Sequence, residues 1–326
     1  MRSKLMTMQE AVKKYTRDGM LYAHGGAMPV GTDSISFGRE MLKQGRKDLN
    51  LISNCNTQQT NLLAAAGRIK RIELGFSGLE VYGFANGLKR AVESGQMVLE
   101  DYSNGAMPLR LLAGALNLPY IPANCGFGSD QEYCCADNPT AYPNAKKIHK
   151  MKDPSGKDMW MFTALQPEFA AIHVTMADIY GNAIMLGTEW SRYELSRASK
   201  KVVLQADFIV DTDCMRQFPN LVRIPDVVVE GVVYWPYGSW PACSVGVYDS
   251  DEKAMQEMNA ALKTAEGTDA YIKQWVDSYS TVKEWVNLLG KERIDMITNT
   301  PSKFLMDPFR KWIKSDDDVL RLLERR

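Results

Sequence analysis

Apolar and polar positions along the chain fall into two rhythms that keep alternating. From Met8 to Arg17, Ala11, Val12 and Tyr15 recur at helical spacing, and Met20 to Ala23 then reads as a short buried strand. The pair repeats. Asp33 or Ser34 is placed to cap a second helix running through Phe37, Met41 and Leu42 to Gly45, and Leu49 to Ser53 predicts a second strand. Thr57 to Ala66, rich in alanine and leucine, predicts a helix ending at Gly67, with Ile69 to Leu74 as the third strand. Helices follow near Asn86–Ser94 and from about Pro108 to Asn117, then an extended segment at Leu118–Pro122. Later strands are predicted at Ala170–Val174, at Val202–Leu204 with Phe208–Val210, and at Val227–Val233. Mostly apolar strands alternating with helices imply an α/β fold: three α/β/α layers around a mostly parallel sheet.

Two stretches leave this pattern. Asn138 to Met159 carries Pro139, Pro143 and Pro154, the pair Lys146-Lys147 and Ser155-Gly156, and reads as a polar loop or hairpin excursion inside the domain. From Asp251, Met255, Met258, Leu262, Tyr271, Trp275, Val276, Trp285 and Leu288 recur at helical spacing with charges between them. The expected organisation is an α/β domain over 1–250 and a helical extension over 251–326 packing on it.

Composition narrows the classes of function. Lys plus Arg and Asp plus Glu both number 39, so the chain lacks the basic surplus of a nucleic-acid binder. No run approaches the ~20 apolar residues of a transmembrane helix, so neither membrane nor nucleic acid is an expected partner. The N-terminal decapeptide has no apolar signal region, and six cysteines without a C-x-x-C spacing read as reduced thiols; a cytoplasmic location is expected. Only His24, His149 and His173 are available as histidine ligands, which argues against a multi-histidine metal centre.

The stretch from Ala23 to Gly31, Ala-His-Gly-Gly-Ala-Met-Pro-Val-Gly, holds the most pointed local signal. Thr32-Asp33 follow Gly31 where a phosphate-binding loop needs lysine, and the glycines do not fit G-x-G-x-x-G. A strand-to-helix turn or a close backbone approach, with amides converging, remains. In an open parallel sheet the loops after strand carboxyl ends gather at one edge, so His24–Gly31, Phe76–Glu80 and Gly126–Asp130 are expected to share it. Ser103 or Asn104 is placed to cap the following helix, with a substrate contact as the other reading. His173, on a buried strand, reads as a satisfied interior histidine more readily than as a catalytic base.

Several segments together resemble a known family. Asp18-Gly19, the apolar run, Gly25-Gly26 and Gly31 are similar to the N-terminal signature of family I coenzyme A transferases, with Ala27 in place of the usual phenylalanine and Asp33 where proline is usual. Glu100-Asp101-Tyr102-Ser103, Leu118–Pro122, Gly128-Ser129, Pro236–Pro241 and Gly246–Asp249 resemble the A (alpha) subunit of the glutaconate-type enzymes, in order along nearly the whole chain. The resemblance implies ping-pong acyl transfer with a partner B subunit, in an (AB)2 assembly. No cofactor is permanently bound; the coenzyme A thioester is the substrate, together with a carboxylic acid. The nucleophilic glutamate is expected on the B subunit, so no catalytic residue is assigned in this chain. It further implies substrate contacts at Gly25, Gly26, Ser77, Gly78, Asn104, Gly128 and Ser129. A ring-opening hydrolase branch is also similar, through Asp178–Ala183, but there the working glutamate stands where this chain has Asn104. A chain that keeps the fold as a scaffold, without turnover, is the third reading. Arg39, Arg90 and Arg110 are candidates to hold a second substrate carboxylate.

Overall fold

Adjacent residues in each central strand fill different cores, which is why the strands read as unbroken apolar runs rather than alternating ones. Tyr22, Leu51, Phe169, Ala171, Val203 and Val233 belong to one core; Ala23, Ile52, Ala170, Ile172, Val202 and Val232 belong to the other. The structure, a computed structural model, describes residues 2–26, 31–55, 57–76, 78–130 and 147–325.

The strands are β1 (Leu5–Met6), β2 (Leu21–His24), β3 (Leu49–Cys55), β4 (Ile69–Phe76), β5 (Val98–Asp101), β6 (Tyr120–Ala123), β7 (Ile148–Lys152), β8 (Asp158–Thr163), β9 (Phe169–Ala177), β10 (Ala183–Ile184), β11 (Val202–Ile209), β12 (Val222–Ile224) and β13 (Gly231–Tyr234). Eight of them form the parallel order β1-β13-β11-β9-β2-β3-β4-β5, with β10 and β12 attached antiparallel. From β2 the chain winds outward through β3, β4 and β5, then returns at β9 and winds the other way. The order therefore reverses between β2 and β9, where open parallel sheets form their ligand crevice.

Helices cover both faces. On one lie α1 (Met8–Tyr15), α2 (Ile35–Lys43), α3 (Gln58–Ala65) and α4 (Asn86–Glu93); on the other lie α5 (Ala106–Ala115) and α6 (Arg192–Ala198). A short α7 (Thr212–Gln217) follows β11. The Met/Trp-rich C-terminal region forms α8 (Glu252–Ala261), α9 (Ala265–Trp275), α10 (Val282–Leu289), α11 (Lys291–Thr298) and α12 (Asp316–Glu324). Met258, Leu262, Tyr271, Trp275 and Trp285 join the core over α2 and α3, so the stripe is packing. There Trp240 and Trp285 flank the guanidinium of Arg39 at 5.2 and 5.0 Å.

Several expectations shift. The polar excursion contains, from residue 148, the hairpin β7–β8, closed by Asp153, whose carboxylate accepts the amides of Ser155 and Lys157; with β6 it makes a three-stranded antiparallel sheet. Its earlier part lies outside the described residues. The strand expected at Val227–Val233 begins at Gly231, because Asp226–Val228 form a 3-10 turn first. Neither Asp33 nor Ser34 caps α2. The Phe37 amide instead donates to Gln205 Oε1 at 3.0 Å, while Asp33 accepts the Gln59 amide of α3 and the Ser34 hydroxyl donates to Ala171. β5 and α6 carried no pattern: Val98 is exposed on the sheet edge and Glu100 is the buried residue, while α6 is polar at most positions.

Candidate functional site

At the reversal point β2 ends and its chain turns away from β9. The last rung is the Gly25 amide donating to the Ala171 carbonyl at 3.0 Å. Gly25 and Gly26 are both buried, and neither takes a positive φ; they are glycine because side chains close on them. A β-carbon on Gly25 would lie 3.0 Å from Ile172 Cγ2 and 3.1 Å from Arg192 Cγ. One on Gly26 would lie 2.7 Å from Thr57 Cγ2 and 2.8 Å from Asp33 Oδ1. The close approach expected from the sequence is present, but its form differs. Both amides are already committed, Gly25 to Ala171 and Gly26 to His24 Nδ1 at 3.3 Å, so they do not converge as free donors.

His24 is fully enclosed. Since Nδ1 accepts from Gly26, the proton sits on Nε2, which donates to Thr60 Oγ1 at 2.7 Å. Burial pushes its pKa down, against the pull of Asp33 at 3.8 Å, so the ring is neutral. Asp33 completes the wall. Its Oδ2 accepts the Gln59 amide at 2.9 Å while its Oδ1 has no hydrogen-bond partner among the described residues.

The same edge continues across the sheet. A β-carbon on Gly75, at the end of β4, would lie 2.8 Å from both Asn54 O and Asn104 Oδ1; the Cys55 thiol donates to that Asn104 oxygen at 3.5 Å. Burial raises the Cys55 pKa to about 11, with Glu80 adding to it, so the thiol stays protonated. Asn104 is exposed on this edge and does not cap α5. Ser103 does, its hydroxyl accepting the Ala106 amide at 3.0 Å, so the helix starts two residues before Pro108. Beyond it, Gly105 faces Cys125: a β-carbon on that glycine would lie 3.4 Å from Cys125 Cβ, and this approach joins the Gly126–Ser129 loop to the edge. Gly126 and Gly128 take positive φ there, and Ser129 Oγ donates to Gly126 O at 2.6 Å. Gly78 pairs with Phe84 in an isolated bridge; Ser77 lies outside the described residues. Thus Gly25, Gly26 and Asn104 lie at strand ends along one sheet edge, beside Thr57, Asn54 and Cys55, and the approach of Gly105 to Cys125 sets the loop that carries Gly128 and Ser129 next to Asn104.

A family model described as Coenzyme A transferase matches residues 5–234. The chain belongs to that family. It is 27% identical to the A subunit of glutaconate CoA-transferase from Acidaminococcus fermentans, over 90% of this chain and 93% of the relative. The crystal structure of that organism's glutaconate coenzyme A-transferase superposes with a TM-score of 0.84 at 25% identity, covering 92% of this chain and 96% of the other. An uncharacterized protein of Archaeoglobus fulgidus is 34% identical over 89% of this chain, which spans 63% of that longer relative.

The arginines and remaining histidines of this coenzyme A transferase chain are held elsewhere. Arg39 lies in its tryptophan box, Arg90 donates to Ala65 O and Thr268, and Arg110 is paired with Glu73 at 2.8 Å. None of the three faces the edge as a free cation. His173 donates from Nε2 to Asp207 at 2.9 Å and accepts from Gln205 at 2.8 Å, the satisfied interior histidine that its strand suggested. What the sequence did not flag is Arg192 against Gly25, preceded by Trp190 and Ser191 at φ +43° and +61°. Nothing in its polar surroundings has helical or strand periodicity to draw attention to it. Among the described residues no cluster of three or more His, Cys, Asp or Glu is arranged for a metal, and no helix is long and apolar enough to cross a membrane.

Proposed function

We propose that the chain is the A subunit of a heteromeric transferase that moves coenzyme A between an acyl thioester and a small or medium carboxylic acid. The observation that carries this reading is the small-residue edge at the sheet's reversal point, in a chain similar along nearly its whole length to a protein of that kind. Where the similar ring-opening hydrolases carry their working glutamate this chain has Asn104, and an amide side chain neither attacks nor deprotonates. The resemblance to the glutaconate-type A subunit supports a nucleophilic glutamate on a partner B subunit, most simply in an (AB)2 assembly.

In this reading the partner's glutamate attacks the thioester, coenzyme A thiolate opens the resulting anhydride to a glutamyl thioester, and the acceptor acid reverses the sequence. An anhydride survives only where water is kept out. Gly25 and Gly26, closed over by Arg192, Thr57 and Asp33, sit in the wall behind the reacting carboxylate. Ser77 and Gly78 hold the acid, and Asn104, Gly128 and Ser129 line the approach. No resident cofactor takes part, since coenzyme A enters as substrate.

The test is to co-express the chain with a B-type partner and treat the complex with an acyl-CoA and borohydride. Recovery of a reduced glutamate on the partner, with coenzyme A passing to a panel of free acids, is the expected result. Hydrolysis of the thioester without acceptor-dependent transfer would favour the hydrolase reading, and no turnover at all would leave a scaffold role.

A further inference from the structure

Both amides of the Gly25–Gly26 turn are committed, so these two donors do not meet the negative charge that acyl transfer creates. In the attack on the thioester, a π pair of its C=O moves onto oxygen as a carboxylate oxygen bonds to the carbon. The pair returns as the C–S bond breaks and the thiolate leaves with that bond's electrons, without a proton being consumed. The passing oxyanion is the species to stabilise.

Arg192 is a buried cation at this point, 2% exposed. Its Nε donates to Glu189 O at 3.0 Å, NH1 to His173 O at 3.0 Å and NH2 to Thr188 O, all three backbone carbonyls. The His173 carbonyl is the next on β9 after Ala171 to point toward β2. The guanidinium thus takes over where β2 has left the sheet, and its aliphatic stem rests on Gly25. A neutral amide could bond those carbonyls. A guanidinium there is a desolvated charge, costly without a carboxylate, and among the described residues none is within ion-pair distance. The nearby Glu189 carboxylate is taken by Arg223 at 2.6 and 3.1 Å. Burial draws the Arg192 pKa down, Glu189 and Cys243 acting the other way, to about 10, so it is charged at neutral pH.

We propose that Arg192 is the fixed positive charge of the transfer site, a positioning residue acting through the Gly25–Gly26 turn on the oxyanion formed against it. The inference rests on the transfer reading above. Arg192→Gln and Arg192→Lys are compared with wild type in the complex with the B subunit. Arg192→Gln should lose about tenfold in kcat, the effect of a charge acting across the turn and smaller than that of a lost oxyanion donor, with the KM of either substrate changed less than about threefold. Arg192→Lys should retain activity at low pH and lose it as pH rises through the lysine's burial-depressed pKa, where wild type is flat. A lysine variant with the wild-type pH profile overturns the proposal even if the glutamine variant does not fold. So does a glutamine variant with full kcat per folded molecule. A wild-type complex that transfers no coenzyme A overturns the functional reading itself, whereas a transferring complex indifferent to the charge overturns this inference alone.

Discussion

Asp33 closes on Gly26 so tightly that a β-carbon there would stand 2.8 Å from its Oδ1. Thr57 presses from the start of α3 at 2.7 Å, so neither neighbour has room to yield alone. Gly26→Ala is expected to cost about 2 kcal/mol, as overpacking of a filled site does, and to reduce transfer more than that loss of folded protein explains. Thermal melts and initial rates on the same preparation separate the two. Full activity in a stable Gly26→Ala protein would remove the turn from the site.

Glu73 gives the fold a pH dependence of known sign. Burial alone would raise its pKa, but Arg110 at 2.8 Å and Lys147 at 2.6 Å outweigh it and hold the carboxyl below its ordinary 4.5. A depressed carboxyl contributes stability in full above its unfolded pKa and loses it as pH falls through the folded value. Glu73→Gln, which strands the buried Arg110 while Lys147 keeps Glu100 at 2.8 Å, should destabilise by about 3 kcal/mol at neutral pH. That deficit should shrink toward zero as the pH drops below 4.5. Denaturant midpoints at pH 7 and in acid check this; a deficit independent of pH would contradict it.

Ser103 and Asn104 are neighbours with different work. Ser103→Ala should cost about 1 kcal/mol of stability through the lost cap on α5 and leave transfer per folded molecule as it was. Asn104→Glu should leave stability nearly unchanged and slow transfer about tenfold by repelling the anionic substrates, less so at high salt. Rates at two ionic strengths decide it; an Asn104→Glu protein as active as wild type would place Asn104 outside the approach.

Gly114 fixes how α5 lies on the sheet. A β-carbon there would come 2.0 Å from the Leu165 carbonyl oxygen, a backbone atom that cannot rotate away. Gly114→Ala should therefore destabilise by roughly 3 kcal/mol despite alanine's better helix propensity. Chemical denaturation reads it directly, and a neutral effect would mean the helix can slide.

Much of the architecture was legible along the chain because burial on both faces leaves a continuous apolar signature. Strands β2, β3, β4, β9 and β11, and helices α1 to α3, are central, and they stand where periodicity put them within a few residues. β5 escaped because it is an edge strand, with Val98 outward and a glutamate inward whose charge Arg71 and Lys147 balance. α6 escaped because its starting geometry depends on Trp190 and Ser191 at positive φ, which composition does not announce.

The site divides the same way. Gly25-Gly26, Asn104 and Gly128-Ser129 could be picked out in sequence because they match segments of the coenzyme A transferase family in order along the chain. What they touch could not be. Local sequence assigned Asp33 to the start of α2, while the fold turns it onto Gln59 and Gly26; it made the glycine amides free donors, while β9 and His24 take them. Arg192 reaches Gly25 from 167 positions along the chain, counted as 192 minus 25. The sequence by itself determined the layered fold and the sheet edge on which the candidate loops lie, because hydrophobic periodicity is a local property summed over short windows. Only tertiary structure decided which charges meet the glycine turn, because desolvation and ion pairing act between groups brought together by strand order alone.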